Sequence, residues 1–392
     1  MTHNPLIIIP SPTKTTLNIV DANGQIEKQA WPVKLNQQAL TDTLKNSLMK
    51  MMLLRKDAGF SDSMANIIKE AVEPLSCNPD GSKKYNVQPV NMSRSIKNSS
   101  EHTKVLMQNI VDSDELINAV GEENIYIFSY DMFGDTSVIA KNLEDFICLV
   151  KTMNNTDKVD VLCVSLGGTV LKAYLSEYAA NNHIENVISI ASFMNGASLI
   201  ADAFENRFSL TDTQSLIGLL GEKGASLSSV LGMLPPDAVE NTVKKSMDII
   251  TKNLLHSCTM MWACIPNNRF DAIYSAYMPK GSELDKKVSA LHEYSVNLNA
   301  NLKLLKASGV KFHQFCGYGK PLLPITENNA VSSDGIVDTA LASFGANCAS
   351  VDSEPNYFGC LFPDTTEFFR DEEHFSIHKN KDLIAKIAKV LG

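Results

Sequence analysis

Three residue types that cooperate in acyl chemistry occur in this chain in a usable order: Ser165, then Asp334, then His374. A serine hydroxyl is a weak nucleophile at neutral pH. It becomes reactive when an imidazole takes its proton and a carboxylate orients that imidazole and stabilises its charged form. Ser165 has the most informative surroundings. The run before it, Val159-Asp160-Val161-Leu162-Cys163-Val164, is largely β-branched and apolar, suited to a central parallel strand. Beyond it, Thr169 to Tyr178 takes helical spacing, with Val170, Leu171, Tyr174 and Leu175 on one side. A serine at such a strand-to-helix turn sits in a tight loop, its hydroxyl exposed and a helix N-terminus beneath it. Gly167 and Gly168 let the helix and the neighbouring strand pack close to the turn. The first glycine of the usual G-x-S-x-G is replaced by Cys163, whose thiol is small enough to be tolerated. The competing reading is an ordinary strand-glycine-helix turn whose serine merely caps the helix.

In sheets that carry such a turn, the acid and then the histidine follow the serine along the chain. Of the eight histidines, only His374 and His378 come after the later strand-like segments. His374 lies in Glu372-Glu373-His374-Phe375, just ahead of the last helical pattern, and is the preferred base. His378, among polar neighbours, reads as a surface residue. Ser332-Ser333-Asp334-Gly335-Ile336-Val337 is a polar turn between strand-like segments, and its glycine lets the carboxylate approach an imidazole. Asp338 is the reserve acid. Set against Asp334 is the plainer role of a turn-forming aspartate.

These residues need a scaffold, and the order of elements supplies one. Leu6–Ile9 and Ile125–Tyr130 read as strands, followed by a helix carrying Val138, Leu143, Phe146, Ile147 and Val150. Val187–Ala191 and Val310–Cys316 are further strands, and Leu383, Ile384, Ile387, Val390 and Leu391 mark a final amphipathic helix. Such alternation predicts an α/β fold with a mostly parallel central sheet and helices on both faces. Residues 199–279 break the pattern. They hold helical segments at Ser226–Leu234 and Ala238–His256 and the apolar patch Met260-Met261-Trp262-Ala263-Cys264-Ile265-Pro266. The expected division is a core of 1–198 and 280–392 with an inserted helical cap of 199–279 over the carboxyl edge of the sheet, where ligands bind in open α/β folds. Met261 and Trp262 are candidate substrate contacts, set against packing within the cap. Pro79 to Ser100, rich in Asn, Ser and Lys, reads as a long surface excursion.

Composition narrows the function classes. The 392 residues are 44% hydrophobic and 20% charged, ordinary for a globular protein with a substantial core. A net charge of -9 argues against nucleic acid or an anionic membrane as an electrostatic partner. The start, Met1-Thr2-His3-Asn4-Pro5, does not resemble a signal peptide, and no apolar run is long enough to cross a bilayer. The cytoplasm is therefore the expected compartment, and the eight scattered cysteines are expected to be reduced. There is no H-E-x-x-H and no glycine-rich phosphate loop after the first strand, so neither a metal nor an organic cofactor is expected.

Taken together, the motifs resemble those of the lecithin:cholesterol acyltransferase-like branch of the α/β-hydrolases. Pro5 to Pro10 followed by Gln29-Ala30-Trp31-Pro32 is similar to the family's opening strand, oxyanion turn and Trp-Pro. Ser129-Tyr130-Asp131-Met132-Phe133 resembles its Pro-Tyr-Asp-Trp-Arg stretch at Tyr130 and Asp131, and Val164-Ser165-Leu166-Gly167-Gly168 its His-Ser-Met-Gly-Gly. Ile188–Ala191 with Asn195-Gly196-Ala197 resembles the strand and turn after the elbow, and Trp262 to Pro266 the Trp-Leu-Leu-Pro cap motif. Tyr318-Gly319 with Pro321, then Ser333–Val337, follows the late pattern. The resemblance implies an α/β-hydrolase fold, triad roles for Ser165, Asp334 and His374, and acyl chemistry on a hydrophobic lipid ester, passed to water or to another alcohol. Transient contact with a membrane or lipid interface is expected, if anywhere, through the cap. Oxyanion donors would be the N–H of Leu166 and a second N–H from the turn after the first strand. There the chain departs from the family's Pro-Gly: Pro10-Ser11-Pro12-Thr13-Lys14 puts Pro12, which has no N–H, at the donor position. A shifted turn would bring in Thr13 or Lys14, with Thr13 preferred. The alternative is a catalytically impaired hydrolase-fold protein that binds a lipid or a protein partner. Oligomeric state is left open.

Overall fold

The computed structural model describes residues 3–90, 92, 94–111, 114–207, 234–323 and 330–392. Among them are the strands β1 (Leu6–Ile9), β2 (Leu17–Val20), β3 (Ile26–Trp31), β4 (Val87–Pro89), β5 (Ile125–Ile127), β6 (Val159–Val164), β7 (Ile184–Ile190), β8 (Lys311–Tyr318), β9 (Lys320–Pro321), β10 (Ser332–Ser333) and β11 (Thr366–Arg370). The central sheet runs β11-β8-β7-β6-β1-β5 and every neighbouring pair is parallel. The fold is α/β, with helices on both faces of this sheet.

Residue period two along each strand divides the core. Ile7, Ile9, Val161, Cys163 and Val187 face one way and pack with the helices Thr136–Asn154 and Gly167–Tyr178 through Leu143, Ile147, Val170 and Leu171. Leu6, Ile8, Leu162, Val164 and Ile188 face the other way, toward Leu383, Ile384 and Ile387 of the last helix, Lys381–Leu391. Both β1 and β6 are buried along their whole length, the condition under which a strand carries apolar residues on both faces.

Two regions differ from the sequence expectation. Pro79–Ser100 is no simple surface excursion: it supplies β4, which completes a small antiparallel sheet β3-β2-β4, and it buries Met92 and Ile96 in the second core layer. The apolar residues spaced among its polar ones were the available signal. In the segment 199–279 the described helices are Ser198–Phe204, Pro236–Ile250 (continued by a π-helical turn, Thr251–Leu255), Thr259–Ala263 and Asn267–Tyr277. The expected helix at 226–234 lies, up to residue 233, outside the described residues. The helix Pro236–Ile250 packs on Phe60–Val72, with Leu234 and Ala238 meeting Met51 and Phe60 in a separate apolar cluster. Asp57 ties the two stretches: its N–H donates to Asp237 at 2.9 Å and its carboxylate accepts from Asn241 at 3.1 Å. This satellite unit is therefore shared between two distant parts of the chain, and a division by sequence order misses half of it.

Candidate active site

β6 ends at Val164, and Ser165 turns the chain with φ +57°, a left-handed conformation that costs a non-glycine residue roughly 1–3 kcal/mol. The turn is held from both sides. The Ser165 N–H donates to the Ile190 carbonyl at 3.0 Å, and its own carbonyl accepts from Phe193 at 2.9 Å and Gly168 at 3.0 Å. Close packing fixes the residue types that follow. A β-carbon on Gly167 would overlap the carbonyl of Ile9, and one on Gly168 would overlap the Ser192 hydroxyl and crowd the Met194 N–H. Cys163, in place of the usual glycine, is fully buried with its sulfur 3.3 Å from the Ser189 hydroxyl. Burial pushes its thiol up to about 11, so it is a neutral spacer under the serine.

Ser165, His374 and Asp334 come together although they are far apart in sequence. His374 Nε2 lies 2.8 Å from Ser165 Oγ, and His374 Nδ1 lies 2.8 Å from Asp334 Oδ2. An ionised carboxylate only accepts, so Nδ1 carries the proton and Nε2 is left as acceptor for the serine hydroxyl. Asp334 is 2% exposed, and its other oxygen accepts from the N–H groups of Ile336 at 3.0 Å and Val337 at 2.8 Å. The carboxylate is thus satisfied on both oxygens. The His374 N–H donates to the Asp334 carbonyl at 2.9 Å, which ties the histidine loop to the acid turn through the backbone as well. Phe193 and Phe375 flank the imidazole at 5.8 and 5.6 Å between ring centroids.

The reserve residues are placed elsewhere. Asp338 accepts from the Ser198 N–H at 2.9 Å and hydroxyl at 2.7 Å, so its carboxylate holds the start of the helix Ser198–Phe204. Its pKa is raised by burial, against which the Ser198 hydrogen bonds work. His378, read from sequence as a surface residue, is 5% exposed: the short 3-10 turn Ile377–Lys379 carries it inward beside the buried Ile377, an effect its polar neighbours do not reveal. Trp262 and Met261 are core side chains. The Trp262 indole is 1% exposed, packs on Phe204, Phe270 and Tyr274, and donates to the His256 carbonyl at 3.0 Å. All faces of the ring are taken by the protein, so Trp262 has no surface for a substrate. Met261 is 6% exposed in the same core.

The turn after β1 is a short 3-10 element, Pro12–Lys14, with proline at its first position, where the missing N–H disturbs no helical bond. It is anchored through carbonyls. Trp31 Nε1 donates to Pro12 O at 2.9 Å, Thr15 Oγ1 to the same oxygen at 3.0 Å, and the Tyr130 hydroxyl to Pro10 O at 2.8 Å. Trp31 and Tyr130 thus hold the carbonyls of this turn in place. The N–H groups of Thr13 and Leu166 make no hydrogen bond to another described residue. Lys14 in this turn is pushed below the ordinary lysine pKa, first by burial and then by the neighbouring Lys379.

Two further features were not read from sequence. Lys172, on the helix that springs from the elbow, is 2% exposed and donates to the Ala263 carbonyl at 2.7 Å, and burial pushes it down to about 8. A cavity of about 800 Å³ lies between the segment 81–92 and the start of the helix Thr136–Asn154, with Phe128, Asp131, Val90 and Met92 in its wall; Ser165 and His374 do not line it. Among the described residues no helix is long and apolar enough to cross a membrane.

A parallel sheet with a serine elbow after β6, an acid turn after β8 and a histidine loop after β11 is the layout of an α/β-hydrolase core. No protein-family model matches the chain, and no curated protein sequence matches it. Among solved structures, similarity is found to the lipase BlEst2 of Bacillus licheniformis in mature form, at 12% identity over 77% of this chain and 89% of that one, with a TM-score of 0.35. The Tle4-Tli4 complex is similar at 12% identity over 99% of both chains, with a TM-score of 0.36. Cfl2 from Burkholderia cenocepacia is similar at 12% over 71% and 82%, with a TM-score of 0.30. Likeness at these scores carries no weight for function, which rests on the geometry of the chain's own residues.

Proposed function

We propose that the protein is a serine-dependent ester hydrolase or acyltransferase acting on a hydrophobic lipid ester through an acyl-enzyme on Ser165. The observation that supports this best is the unbroken chain of hydrogen bonds from Ser165 Oγ through His374 to Asp334, with the second oxygen of Asp334 already satisfied. In this reading His374 Nε2 takes the serine proton as Oγ attacks the ester carbonyl. The Nδ1–H bond to Asp334 stabilises the resulting imidazolium, which then protonates the leaving alkoxide. Water or a second alcohol repeats the sequence in reverse to release the acyl group. The motif resemblance to the lecithin:cholesterol acyltransferase-like branch favours a lipid ester and leaves both acceptors open. The tetrahedral oxyanion is assigned to the N–H groups of Leu166 and Thr13, both without another partner among the described residues. Met261 and Trp262 are given no substrate contact.

A second reading has one observation in its favour. Pro12 removes the N–H at the position where the resembled family has a donor, and loss of one such donor costs about 2.7–4 kcal/mol. A hydrolase-fold protein that binds a lipid or protein partner without turning it over would tolerate that loss. A fluorophosphonate probe separates the two. Labelling of the native protein that disappears in Ser165→Ala supports the enzyme; no labelling and no ester turnover, with ligand-dependent stabilisation, supports the binding protein.

A further inference from the structure

At the amino edge of the sheet, opposite the serine, three side chains of different donor type converge. Glu144 and Cys148 lie one turn apart on the helix Thr136–Asn154, and His183 immediately precedes β7. Its backbone is pinned there, since the His183 carbonyl accepts from the N–H of Val159 at the start of β6, at 2.9 Å. The donor atoms form a small triangle: Glu144 Oε1 to His183 Nε2 is 3.3 Å, Cys148 Sγ to Glu144 Oε1 3.6 Å, and Cys148 Sγ to His183 Nε2 3.9 Å.

We propose that Glu144, Cys148 and His183 form a zinc site that ties this helix to the start of β7. Zinc bonds of about 2.3 Å to sulfur and about 2.0–2.2 Å to nitrogen and oxygen, at tetrahedral angles, set ligand separations of roughly 3.4 Å for N–O and roughly 3.6 Å for S–O and S–N. The observed triangle matches the first two, and its third side needs only a small rotation of Cys148. The donor set selects the ion: thiolate with imidazole suits zinc, whereas magnesium and calcium take oxygen ligands. One thiolate and one carboxylate balance the charge of the ion, and solvent fills the fourth position. Glu144 is oriented for the task by Asn181, whose amide donates to Oε1 at 2.8 Å. The buried Tyr174 hydroxyl faces the same carboxylate without reaching hydrogen-bond geometry.

Lys151 opposes the ion. Its ammonium lies 2.7 Å from His183 Nδ1, so in the metal-free protein it donates there and Nε2 carries the proton, facing Glu144. Binding moves that proton to Nδ1, turns Lys151 aside and releases the Cys148 proton to solvent. Sequence spacing hides the site because His183 lies 35 residues from Cys148 in the chain.

The test is a zinc titration of the chelator-stripped protein against a chromophoric chelator, with magnesium as control. One zinc equivalent, a raised Tm and a cobalt derivative with a thiolate charge-transfer band are expected. Cys148→Ser should weaken zinc by at least about tenfold and remove the band while fluorophosphonate labelling of Ser165 is unchanged. His183→Gln should weaken zinc comparably, and Lys151→Gln should tighten it. The proposal is overturned if the chelator strips all zinc from the native protein. It is equally overturned if Cys148→Ser and His183→Gln bind as the parent does, if Lys151→Gln binds no better, or if magnesium binds as well.

Discussion

The turn after β6 and the turn after β1 lie at the same edge of two adjacent strands, yet they are built by opposite means. The first is fixed by backbone: Ser165 is strained, its N–H and C=O are both bonded, and glycines beyond it are required by direct contact with Ile9 and Ser192. The second starts with a proline and is held by side chains reaching in from Trp31 and Tyr130 to its carbonyls. Ser165 is thus held through its own backbone and the glycines beyond it, whereas the turn expected to face the oxyanion is held by side chains from other elements. At the first, larger residues in place of Gly167 or Gly168 would collide with Ile9 or Ser192. The second is open to adjustment.

Substitutions probe this contrast. Ser165→Ala is expected to lower ester turnover by as much as about 10⁶-fold and to abolish probe labelling, with circular dichroism unchanged. Asp334→Asn leaves the contacts in place but favours the wrong imidazole tautomer, and a loss of about 10⁴-fold in kcat is expected. A loss below tenfold in steady-state assays would mean that Asp334 only shapes its turn. At the other turn, Pro12→Ala restores an N–H. If Pro12 sits at the donor position, kcat rises by about 10²–10³-fold; an unchanged kcat assigns the donor to Thr13.

Lys172, behind the elbow, gives a readout in stability. Burial holds it near 8 in the folded chain against 10.5 for an ordinary lysine, so between these pH values the unfolded state binds more protons. Its contribution to stability therefore rises with pH from about 8 to about 10.5, by about 3 kcal/mol in all. Denaturant titrations of wild type and Lys172→Met should diverge over that window, the difference growing in favour of the wild type; parallel curves would show that the ammonium is not desolvated. The smallest effect is expected for Tyr130→Phe, which removes one bond to Pro10 O, worth about 0.5–1.5 kcal/mol, and should lower kcat by up to roughly tenfold with KM little changed.

The parts legible in sequence are those set by local spacing. The runs Leu6–Ile9 and Val159–Val164 could hardly be other than buried parallel strands, and Ser165 before Gly167-Gly168 marks the elbow. Chain order narrowed the candidates to Ser165, to Asp334 or Asp338, and to His374 or His378; Ser165, Asp334 and His374 meet in one line of hydrogen bonds. Residues whose type suits two environments were harder. Trp262 serves as well in a core as in a pocket wall, Asp338 is as good a helix anchor as an acid, and His378 looks exposed until the fold closes over it.

What the sequence by itself determined, then, is the alternation of strand and helix and the strand-serine-glycine-helix pattern of the elbow, because these follow from periodicity and backbone conformation along a few residues. Only tertiary structure decided that Asp334 rather than Asp338 reaches His374, that the helices of two distant segments share one small core, and that Glu144, Cys148 and His183 face one another. Such pairings depend on how whole elements pack. Their partners lie tens to hundreds of residues apart, where spacing in the chain carries no distance in space.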